Sequence, residues 1–599
     1  MLPYMKSNVK FEEKIIKTFG GINVTDKIQS GELCAAKNMS SDEYPSLAAR
    51  VGRKNVVQTD NLINGVGTCD GIVYTSVSGD NKHIYLNYDG IDYEFSEYSA
   101  SVDYAASRKL AALSESILII PDNVVFWLNS RTFTSICISQ THTKETALKK
   151  FADETSGNDL LSKTSVDYVA TLTHNSIECR HVGYNQGGSQ TFYYSAFDSS
   201  LKAGDVITVK GIVYSDRGYN TTGYNTYCKK IKNGIVCKIK NVETVTHSTP
   251  GGTVTESVAL RFDDHSIDAG GFSDVCFRSI SIERGVPNLK DICAFNNRIW
   301  GISGKQIYAS KLSDPSEWND FSVDEYGTMP YASFQTSSQT EGEFTGIISY
   351  GNNIYAFKEN VIHKIMGNQP DEYTLQTTVA RGVGKNMGDT LSVCGDSLFY
   401  CGSDGVYIYS GRYPKRVSDK LGIHPKGISG TSDGNLYYVL CEEENEKRIY
   451  VYDAKRKIWH CQDCDSQCSC LTSIGGDVYF AYEHGILLQK PGQSVGDGEK
   501  MVRWSFKIRF DERTVDKHGI SKLMLRYSLG HGASFTVRAL YDDKSHSAVC
   551  GARFDEIDSG GYTLSMAVKR SLWFELKFDG IGEFKLKSIG FKSYRGSER

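Results

Sequence analysis

The chain lacks long apolar segments. Its purely apolar runs are short, such as Ile117–Ile120, so no segment of the 599 residues is long enough to span a bilayer. The first residues, MLPYMKSNVKFEEKIIK, also lack the apolar core that a secretory signal carries. These two absences predict a soluble protein that is made in a cytoplasm.

An excess of charge of either sign is also missing. The chain has 67 Lys and Arg residues against 71 Asp and Glu residues, a formal net charge of -4, and the two signs are interspersed. Sequence-independent binding to nucleic acid depends on clustered Lys and Arg that neutralise phosphates. The composition therefore argues against tight nucleic-acid binding.

Motifs of the common enzyme classes are absent as well. The sequence has no G-x-S-x-G, H-E-x-x-H or G-x-x-x-x-G-K-[ST] pattern, and its 13 His residues do not pair at metal-ligand spacings. We therefore predict that the protein is not an enzyme, and we assign it no catalytic residue and no cofactor.

Proline is scarce, with 11 residues, whereas the chain is rich in Tyr (36), Phe (26) and Gly (57). Aromatic residues favour strands and glycine favours tight turns. Because amphipathic helical stretches are also few, the composition predicts an all-β fold.

Five short stretches resemble one another, since each has Gly, Asn or Asp in a turn and continues into an apolar, aromatic strand. They are AFNNRIWGI (294–302), SYGNNIYAF (349–357), VCGDSLFYC (393–401), TSDGNLYYV (431–439) and SIGGDVYFAY (473–482). Their first strand residues lie 38 to 55 residues apart and are Ile299, Ile354, Leu398, Leu436 and Val478. A period near 40 residues with several strands per unit is typical of β-propeller blades.

A second strand follows the first at a nearly fixed distance. The offset is eight residues at Ile307, Ile362, Val406 and Ile486. At Ile449 it is 13 residues, and we assign the extra length to the acidic turn EEENEK. Each unit thus contains a predicted hairpin whose turn carries Gly, Asn or Asp.

Two earlier strands, beginning at Ile72 and Ile117, repeat the pattern, but the next repeat is 182 residues further on, at Ile299. This gap predicts a domain inserted between two blades. The chain is therefore divided into an N-terminal arm and first blade edge, two sets of blades around an inserted β domain, and a C-terminal sandwich-like β domain. Their predicted bounds are 1–60, 61–137, 138–285, 286–492 and 493–599, with six to seven blades in all.

The stretch HCQDCDSQCSC (460–470) is the one candidate metal site. Its possible ligands are Cys461, Cys464, Cys468 and Cys470. Zinc sites commonly use two C-x2-C pairs separated by a loop, and only half of that pattern is present. We expect a blade loop with incidental thiols and no bound metal. A four-cysteine site would in any case be structural, because four cysteines close the coordination shell.

Some glycosidases are propellers with facing carboxylates. Asp371, Glu372 and Asp404 could be proposed for such a role. Acidic residues in propeller turns more often form the turn itself. A propeller glycosidase is therefore the least favoured reading.

Two segments resemble a known family. They are FGGINVTDKIQSGELCAAKNMSSDEYPSLAARVGR (19–53) and IYASKLSDPSEWNDF (307–321), the second followed by GIISYGNNIYAFKENVIHKIMG (346–367). They are similar to the β-propeller tail proteins of tailed bacteriophages, the tail nozzle or tail tubular proteins of short-tailed phages. The shared pattern is a "GG-N" opening, "NM…P.L..R.GR", "YAS…P..W..F" and an end near "YRGS". The resemblance is specific in the first 50 residues, in 295–370 and in FKSYRGSER at the end.

The resemblance implies a structural subunit of the virion tail. In that family several copies, typically six, form a ring through which DNA leaves, and the ring contacts adaptor and fibre proteins. It implies a homo-oligomer that lines the DNA exit channel without specific DNA binding and is assembled in the host cytoplasm. The alternative is a receptor- or glycan-binding propeller of the tail, for which Tyr-rich loops such as GYNTTGYNTY (218–227) could stack on sugars.

Overall fold

Among the residues that the structure describes, every regular element apart from three short 3-10 turns is a β-strand. The structure, a computed structural model, describes residues 10–99, 103–136, 288–320, 324–326, 328–422, 426–490, 496–497, 500–511, 517–541, 546–553, 561–564 and 570–595, together with nine strands between 138 and 284. The 3-10 turns are Ser96–Tyr98, Gly388–Thr390 and Asp419–Leu421. Within these ranges, no helix is long and apolar enough to cross a membrane. The predicted all-β class is confirmed.

Five short strands come before the first blade. They are β1 (Lys10–Ile16), β2 (Ala35–Lys37), β3 (Met39–Ser40), β4 (Leu47–Ala49) and β5 (Arg53–Gln58). Strands β1, β2 and β4 pair with strands near the C-terminal end of the sequence, β3 pairs with β4, and β5 pairs with a strand of the last blade.

Seven four-stranded antiparallel sheets follow as blades, and each runs from an inner to an outer strand. Blade one is β6 (Leu62–Thr68), β7 (Ile72–Val77), β8 (Ile84–Tyr88) and β9 (Ile91–Glu94). Blade two is β10 (Lys109–Leu113), β11 (Ser116–Ile120), β12 (Val124–Trp127) and β13 (Thr132–Ser135).

The inserted strands lie between blades two and three. They are β14 (Ile138–His142), β15 (Thr146–Lys149), β16 (Tyr168–Leu172), β17 (Ser176–Tyr184), β18 (Gln190–Tyr193), β19 (Val206–Tyr214), β20 (Ile235–Ser248), β21 (Val254–Phe262) and β22 (Asp274–Arg284). Seven of them close into a barrel in the order β22-β15-β16-β17-β21-β20-β19-β22. Buried side chains of this barrel include Ile207, Val209, Cys237, Ile239 and Leu260. The loop 218–227 lies outside the described residues.

Blades three to six continue the meander. Blade three is β23 (Asp291–Phe295), β24 (Arg298–Ser303), β25 (Gln306–Ala309) and β26 (Phe334–Ser337). Blade four is β27 (Gly346–Tyr350), β28 (Asn353–Phe357), β29 (Val361–Met366) and β30 (Thr374–Val379). Blade five is β31 (Ser392–Cys394), β32 (Ser397–Gly402), β33 (Gly405–Tyr409) and β34 (Lys415–Arg416). Blade six is β35 (Lys426–Ser432), β36 (Leu436–Glu443), β37 (Glu446–Asp453) and β38 (Ile458–Asp463).

Blade seven joins the two halves of the sequence. Its inner strands are β39 (Cys470–Ile474), β40 (Asp477–Tyr482) and β41 (Gly485–Gln489), and its outer strand is β5. The N-terminal part of the chain thus closes the last blade. Residues 1–60 were predicted to form an arm and the edge of the first blade. In the structure, β5 pairs with β41 and so forms the edge of blade seven.

The second strands of the blades are apolar on both faces because each blade has a neighbour on either side. Strand β11, SILII, is buried at all five positions. Seven apolar clusters lie between neighbouring blades, one for each successive pair, and the cluster that contains Ile63 and Ile486 joins blade seven to blade one. The seven blades therefore form a closed ring.

The strand starts predicted from the repeat are buried. Ile299, Ile354, Leu398 and Val478 lie in second strands and are 0 to 2% exposed, while Leu436 begins β36 and is partly buried. The prediction for EEENEK was wrong in detail, because Glu444 and Asn445 form a two-residue turn with positive φ at both positions. The extra residues lengthen the strands β36 and β37 and do not lengthen the loop.

A separate two-stranded sheet, β42 (Gly496–Asp497) and β43 (Lys500–Met501), follows the last blade. The strands after it form a two-sheet sandwich with β1 to β4. They are β44 (Arg503–Asp511), β45 (His518–Leu529), β46 (Ser534–Tyr541), β47 (His546–Arg553), β48 (Gly561–Leu564), β49 (Trp573–Ile581) and β50 (Phe584–Arg595). One sheet has the order β3-β4-β50-β45-β48 with β1 also on β50, and the other has the order β2-β44-β49-β46-β47. Aromatic stacking fills the core, as in Trp504 on Phe584 with ring centroids 4.1 Å apart.

Candidate functional site

The segment Gly20–Asn23 lies against the outer strand of blade six. The amide of Ile22 donates a hydrogen bond to the carbonyl oxygen of Trp459 over 2.8 Å. Gly21 has φ of 72°, and a Cβ at this position would lie 2.6 Å from the same carbonyl oxygen. A side chain cannot be accommodated there, so the glycine allows the close approach of the arm to the propeller.

Asn23 continues this contact through a buried carboxylate. Its amide nitrogen Nδ2 donates to Glu32 Oε2 over 2.6 Å, and Lys420 Nζ donates to Glu32 Oε1 over 2.7 Å. Burial by itself would raise the pKa of Glu32, but Lys420 and the other donors outweigh it and hold that pKa below its ordinary value. Glu32 is therefore ionised where the arm contacts the end of blade five.

Arg50 is the centre of a buried polar contact between the sandwich and the propeller. Its side chain is 1% exposed. It donates to both carboxylate oxygens of Asp497, over 2.9 and 2.7 Å, and to Asp463 Oδ1 over 2.9 Å. Its Nε donates to the side-chain oxygen of Asn38 over 3.0 Å. Asp463 ends β38 of blade six and Asp497 lies in β42, so one guanidinium joins the arm, the propeller and the segment that leads to the sandwich.

Asn38 completes this contact from the other side. The backbone amide of Asp463 donates to its side-chain oxygen over 2.9 Å, and its Nδ2 donates to the carbonyl of Arg503 over 2.6 Å. The residue has φ of 57°, a left-handed conformation that asparagine tolerates better than most residues. Every polar atom of the Asn38 amide group is thereby used in holding the two bodies together.

The charges of this contact are stabilised by each other. Burial alone would raise the pKa values of Asp463 and Asp497, but Arg50 outweighs burial and holds both below their ordinary value. Both carboxylates are therefore ionised opposite an arginine, which is the arrangement that gives short, charge-assisted hydrogen bonds.

Arg53 binds the closing strand β5 to blades six and seven. Its guanidinium donates to the carbonyl of Asp463 over 3.0 Å, to Gln462 Oε1 over 2.9 Å and to Gln489 Oε1 over 3.3 Å. The guanidinium carbon also lies 4.3 Å from the ring centroid of Phe480. We name the set Asn38, Arg50, Arg53, Asp463 and Asp497 the junction.

The segment 307–321, the second of the segments that resemble phage tail proteins, forms part of a loop of blade three. Ser310 Oγ accepts the amide of Ile299 over 3.0 Å, and Trp318 is buried with its Nε1 donating to Pro315 over 2.8 Å. Arg298, 1% exposed, holds the loop by donating to three of its carbonyls, those of Ser310, Pro330 and Ala332. Phe321 of this motif lies outside the described residues.

At the propeller axis, the inner strands enclose a cavity of about 550 Å³ with a largely apolar wall. Lys109, Asp291 and Asp389 lie between this cavity and a second one of about 860 Å³ that opens beside blades three to five. Lys109 Nζ is 2.7 Å from Asp291 Oδ1 and 2.5 Å from Asp389 Oδ1. Two carboxylates thus converge on one ammonium at the axis.

The axial charges neutralise one another. Burial would lower the pKa of Lys109, but the two carboxylates outweigh it and raise that pKa above its ordinary value. Asp291 Oδ2 also accepts the amide of Ile347 over 3.0 Å. The cluster therefore ties together blades two, three and four and the turn before blade five.

Sequence reasoning missed these three residues. They lie in three separate blades or turns and match no motif. The available signal was a single charge at the start of two apolar inner strands, KLAAL and DICAF. Such a charge indicates a partner across the axis only when the ring geometry is known.

The carboxylates considered for a glycosidase do not come together. Asp371 and Glu372 are exposed in the turn between the third and fourth strands of blade four. Asp404 lies between the second and third strands of blade five, where it contacts Arg381, Arg416 and Tyr407. In a meander these two kinds of turn lie at opposite ends of a blade, so the residues belong to opposite faces of the propeller.

The four cysteines of 460–470 are divided among three inter-blade clusters. Cys461 packs between blades five and six, Cys464 and Cys468 between blades six and seven, and Cys470 between blades seven and one. All four are free thiols. Among the residues that the structure describes, no group of three or more His, Cys, Asp or Glu side chains could hold a metal ion.

No family model and no curated protein matches the chain. Among solved structures, it is similar to a catalytically inactive virginiamycin B lyase from Staphylococcus aureus with quinupristin, at 11% identity and a TM-score of 0.24, with 73% of this chain and 97% of the other covered. It is also similar to BamB from Moraxella catarrhalis, at 10% identity and a TM-score of 0.28, with 80% and 99% covered. A third is apo AztD from Citrobacter koseri, at 9% identity and a TM-score of 0.27, with 73% and 96% covered.

These are distant matches to β-propeller proteins, and at such values they carry no argument about activity. The class of the chain follows from its own sheets and clusters. It is an all-β protein with a seven-bladed propeller, an inserted barrel and a sandwich made from both ends of the sequence.

Proposed function

We propose that the protein is a structural subunit of a bacteriophage tail, a ring-forming nozzle or hub that lines the DNA exit channel and contacts adaptor and fibre proteins. It would act in the virion after assembly in the host cytoplasm, as a homo-oligomer of six copies. The proposal gives the chain no catalytic role and no cofactor.

The observation that carries the proposal is the location of the residues on which the resemblance depends. Gly21, Asn38, Arg50 and Arg53 all come from the short N-terminal segment, and all contact blades six and seven or the segment before the sandwich. None of them lines a closed pocket where a substrate would be turned over. Residues that hold domains at a fixed angle are what a repeated building block requires.

A ring imposes that requirement for a geometric reason. In a closed ring each copy uses two different surfaces, and the ring closes only if the angle between those surfaces is the same in every copy. Bidentate bonds from Arg50 to Asp497 fix direction as well as distance. The junction therefore supports a subunit whose sandwich and propeller move as one body.

The propeller axis itself is too obstructed for DNA. Lys109, Asp291 and Asp389 meet across it, and the apolar cavity behind them is about 550 Å³. The DNA channel would therefore lie between subunits, around the axis of the ring. With a net charge of -4, the subunit has no overall positive charge that would retain DNA, and we expect channel-facing loops without clustered Lys or Arg.

The test is electron microscopy of the purified chain, with mass determination in parallel. We expect closed six-fold or twelve-fold rings with a central hole wide enough for duplex DNA. Arg50→Lys should give fewer or irregular rings, whereas Lys290→Ala, a change in an exposed side chain remote from the junction, should leave them unchanged. Monomers or trimers at all concentrations would contradict the proposal.

One observation favours the alternative, a receptor- or glycan-binding propeller of the tail. Tyr326, Tyr331 and Tyr413 are 82, 64 and 75% exposed. They lie in loops between the third and fourth strands of blades three and five, which end at the same face of the ring. Binding of host cells or glycans that is lost on Tyr413→Ala, together with a monomeric or trimeric state, would support this alternative.

A further inference from the structure

The loop that connects blades six and seven carries two neighbouring thiols. Cys464 and Cys468 flank a tight turn in which the amide of Cys468 donates to the carbonyl of Asp465 over 3.1 Å. The two thiols lie within hydrogen-bonding reach of each other. Both pack into the cluster between blades six and seven.

The two thiols differ in their access to solvent. Cys464 is partly exposed and lines an open groove of about 600 Å³ together with Arg53, Tyr482 and His484. Cys468 is fully buried behind it. A small molecule in the groove can therefore reach Cys464 first, and Cys468 can be reached only through Cys464.

The surroundings favour a thiolate at Cys464. The neighbouring Cys468 thiol, Arg53 and the Tyr482 hydroxyl together outweigh burial and lower the pKa of Cys464. The bond to Cys464 and burial raise the pKa of Cys468. Lys447 Nζ donates to the carbonyl of Cys468 over 2.8 Å and so holds the turn beside a positive charge.

The other two cysteines of this stretch provide an internal comparison. Burial raises the pKa of Cys461 to about 12 and that of Cys470 to about 11. Cys470 lies beside Ser429, with 3.7 Å between the serine oxygen and the sulfur, in a different cluster from Cys464. Neither is both accessible and beside a second thiol.

We propose that Cys464 and Cys468 form a thiol–disulfide exchange site, in which Cys464 attacks a low-molecular-weight disulfide from the groove and Cys468 resolves the product into an internal disulfide. This inference is independent of the proposed role in a tail. The modified residues lie in the loop between β38 of blade six and β39 of blade seven.

The chemistry is balanced with a disulfide as the oxidant. The Cys464 thiolate attacks one sulfur of the small disulfide, forms a mixed disulfide and releases one small thiolate, which takes up a proton. Cys468 then attacks the Cys464 sulfur, the bond to the small group breaks, and the proton of Cys468 passes to the departing small thiolate, which leaves as the second small thiol. The two protein thiols are oxidised to one disulfide while the small disulfide is reduced to two thiols.

The test uses the full-length reduced chain and oxidised glutathione at pH 7. After the free thiols are blocked at set times, peptide mass spectrometry follows each cysteine. We expect Cys464 to react about tenfold or more faster than Cys470, because the thiolate is the nucleophile. We expect an internal Cys464–Cys468 disulfide as the product in the wild-type chain.

Four variants separate the roles. Cys468→Ser and Cys468→Ala should both accumulate a glutathione adduct on Cys464, Cys464→Ser should leave Cys468 unmodified, and Cys470→Ser should behave as wild type. The wild-type rates test the inference even if a variant at the buried Cys468 fails to fold. A lasting glutathione adduct on Cys464 in the wild type, a disulfide between two copies, or equal rates at Cys464 and Cys470 would overturn it.

Discussion

Between blades five and six, Phe399 stacks on Tyr437 with ring centroids 5.0 Å apart and an angle of 20° between the planes. At the junction, by contrast, Arg50 meets two carboxylates and an amide, and its side chain is as buried as those rings. The blade contacts are apolar and repeat seven times around the ring. The sandwich contact is ionic and occurs once.

The difference shows how each contact specifies orientation. Apolar burial depends on area and only weakly on direction, so blade pairs can use different side chains and keep the same spacing. Hydrogen bonds to a planar guanidinium demand both direction and distance. The ring is therefore defined by repetition, whereas the angle of the sandwich depends on a few polar atoms.

The strongest test of this contrast is Arg50→Ala. It removes the partner of Asn38 and of two carboxylates that are each 38% exposed, so we expect the free energy of unfolding to fall by about 3 kcal/mol. The measurement is urea unfolding of wild type and variant at pH 7.5. Arg131→Ala is the control, because Arg131 is partly exposed and 3.7 Å from Asp89, and it should cost less than about 1 kcal/mol. A loss below about 1 kcal/mol for Arg50→Ala would contradict the role given to the junction.

A second test uses pH to probe His460, a polar residue in β38 of blade six. His460 is buried, both of its ring nitrogens lack a hydrogen-bond partner, and burial lowers its pKa to about 4. Its unfolded pKa is near 6.5, so the folded state resists protonation. The contribution of neutral His460 to the free energy of unfolding is therefore fully present above about pH 6.5. It is lost as the pH decreases towards 4, and the loss for this residue is about 3 kcal/mol.

His363 in blade four is the matched comparison for that test. Burial also lowers its pKa to about 4, but its ring nitrogens bond to hydroxyls of three residues, Ser338, Thr340 and Thr377. At pH 7.5 we expect His460→Leu to cost less than about 1 kcal/mol and His363→Leu about 1 to 2 kcal/mol, because only the latter removes a hydrogen-bond partner from a buried hydroxyl, that of Ser338. His460→Leu should also flatten the loss of stability between pH 6.5 and 5. An unchanged slope would show that other groups cause the acid sensitivity.

A third test compares two conservative changes. Arg50→Lys keeps the charge but loses the planar fork, and we expect a loss of about 2 kcal/mol. Phe399→Leu keeps an apolar side chain of similar size in the blade contact and should cost about 1 kcal/mol. Urea midpoints measured on the same day decide the order. If the leucine variant is the less stable of the two, directionality does not distinguish the two contacts.

The smallest expected effect concerns an exposed ion pair. Lys290 and Glu343 are 57 and 61% exposed and 2.6 Å apart. Lys290→Ala should change the free energy of unfolding by less than about 0.5 kcal/mol, because solvent screens such pairs. Repeating the Arg50→Ala and Lys290→Ala measurements in 1 M salt should reduce the difference only slightly, since the Arg50 guanidinium is buried.

The local repeat was predictable from the sequence because hairpins are local. Ile299 and Ile307 are eight residues apart, and their strands are neighbours in the same blade. Turn residues such as Asn296 and Asn297, both with positive φ, mark where each hairpin reverses. Spacing and turn chemistry were therefore enough to give the blades and their approximate number.

The junction could not be derived in the same way. Arg50 and Asp497 are far apart in the sequence, and no local pattern states which carboxylate a buried arginine will meet. The quoted N-terminal motif did mark Asn38, Arg50 and Arg53 as a group, but not what they contact. The cysteine stretch could not be resolved from sequence for a related reason, because spacing alone does not show which inter-blade cluster each thiol enters.

The closing strand has a consequence for how the chain is made. A ribosome synthesises β5 early, but its partner β41 emerges only after Gly485, roughly 400 residues later. At about 5 to 20 residues per second, the nascent β5 waits roughly 20 to 85 s with an unpaired edge. Strands β1 and β4 wait longer still for β50. The segment that holds β1 to β5 is thus made hundreds of residues before its partners, and it is among the last parts of the chain to be paired.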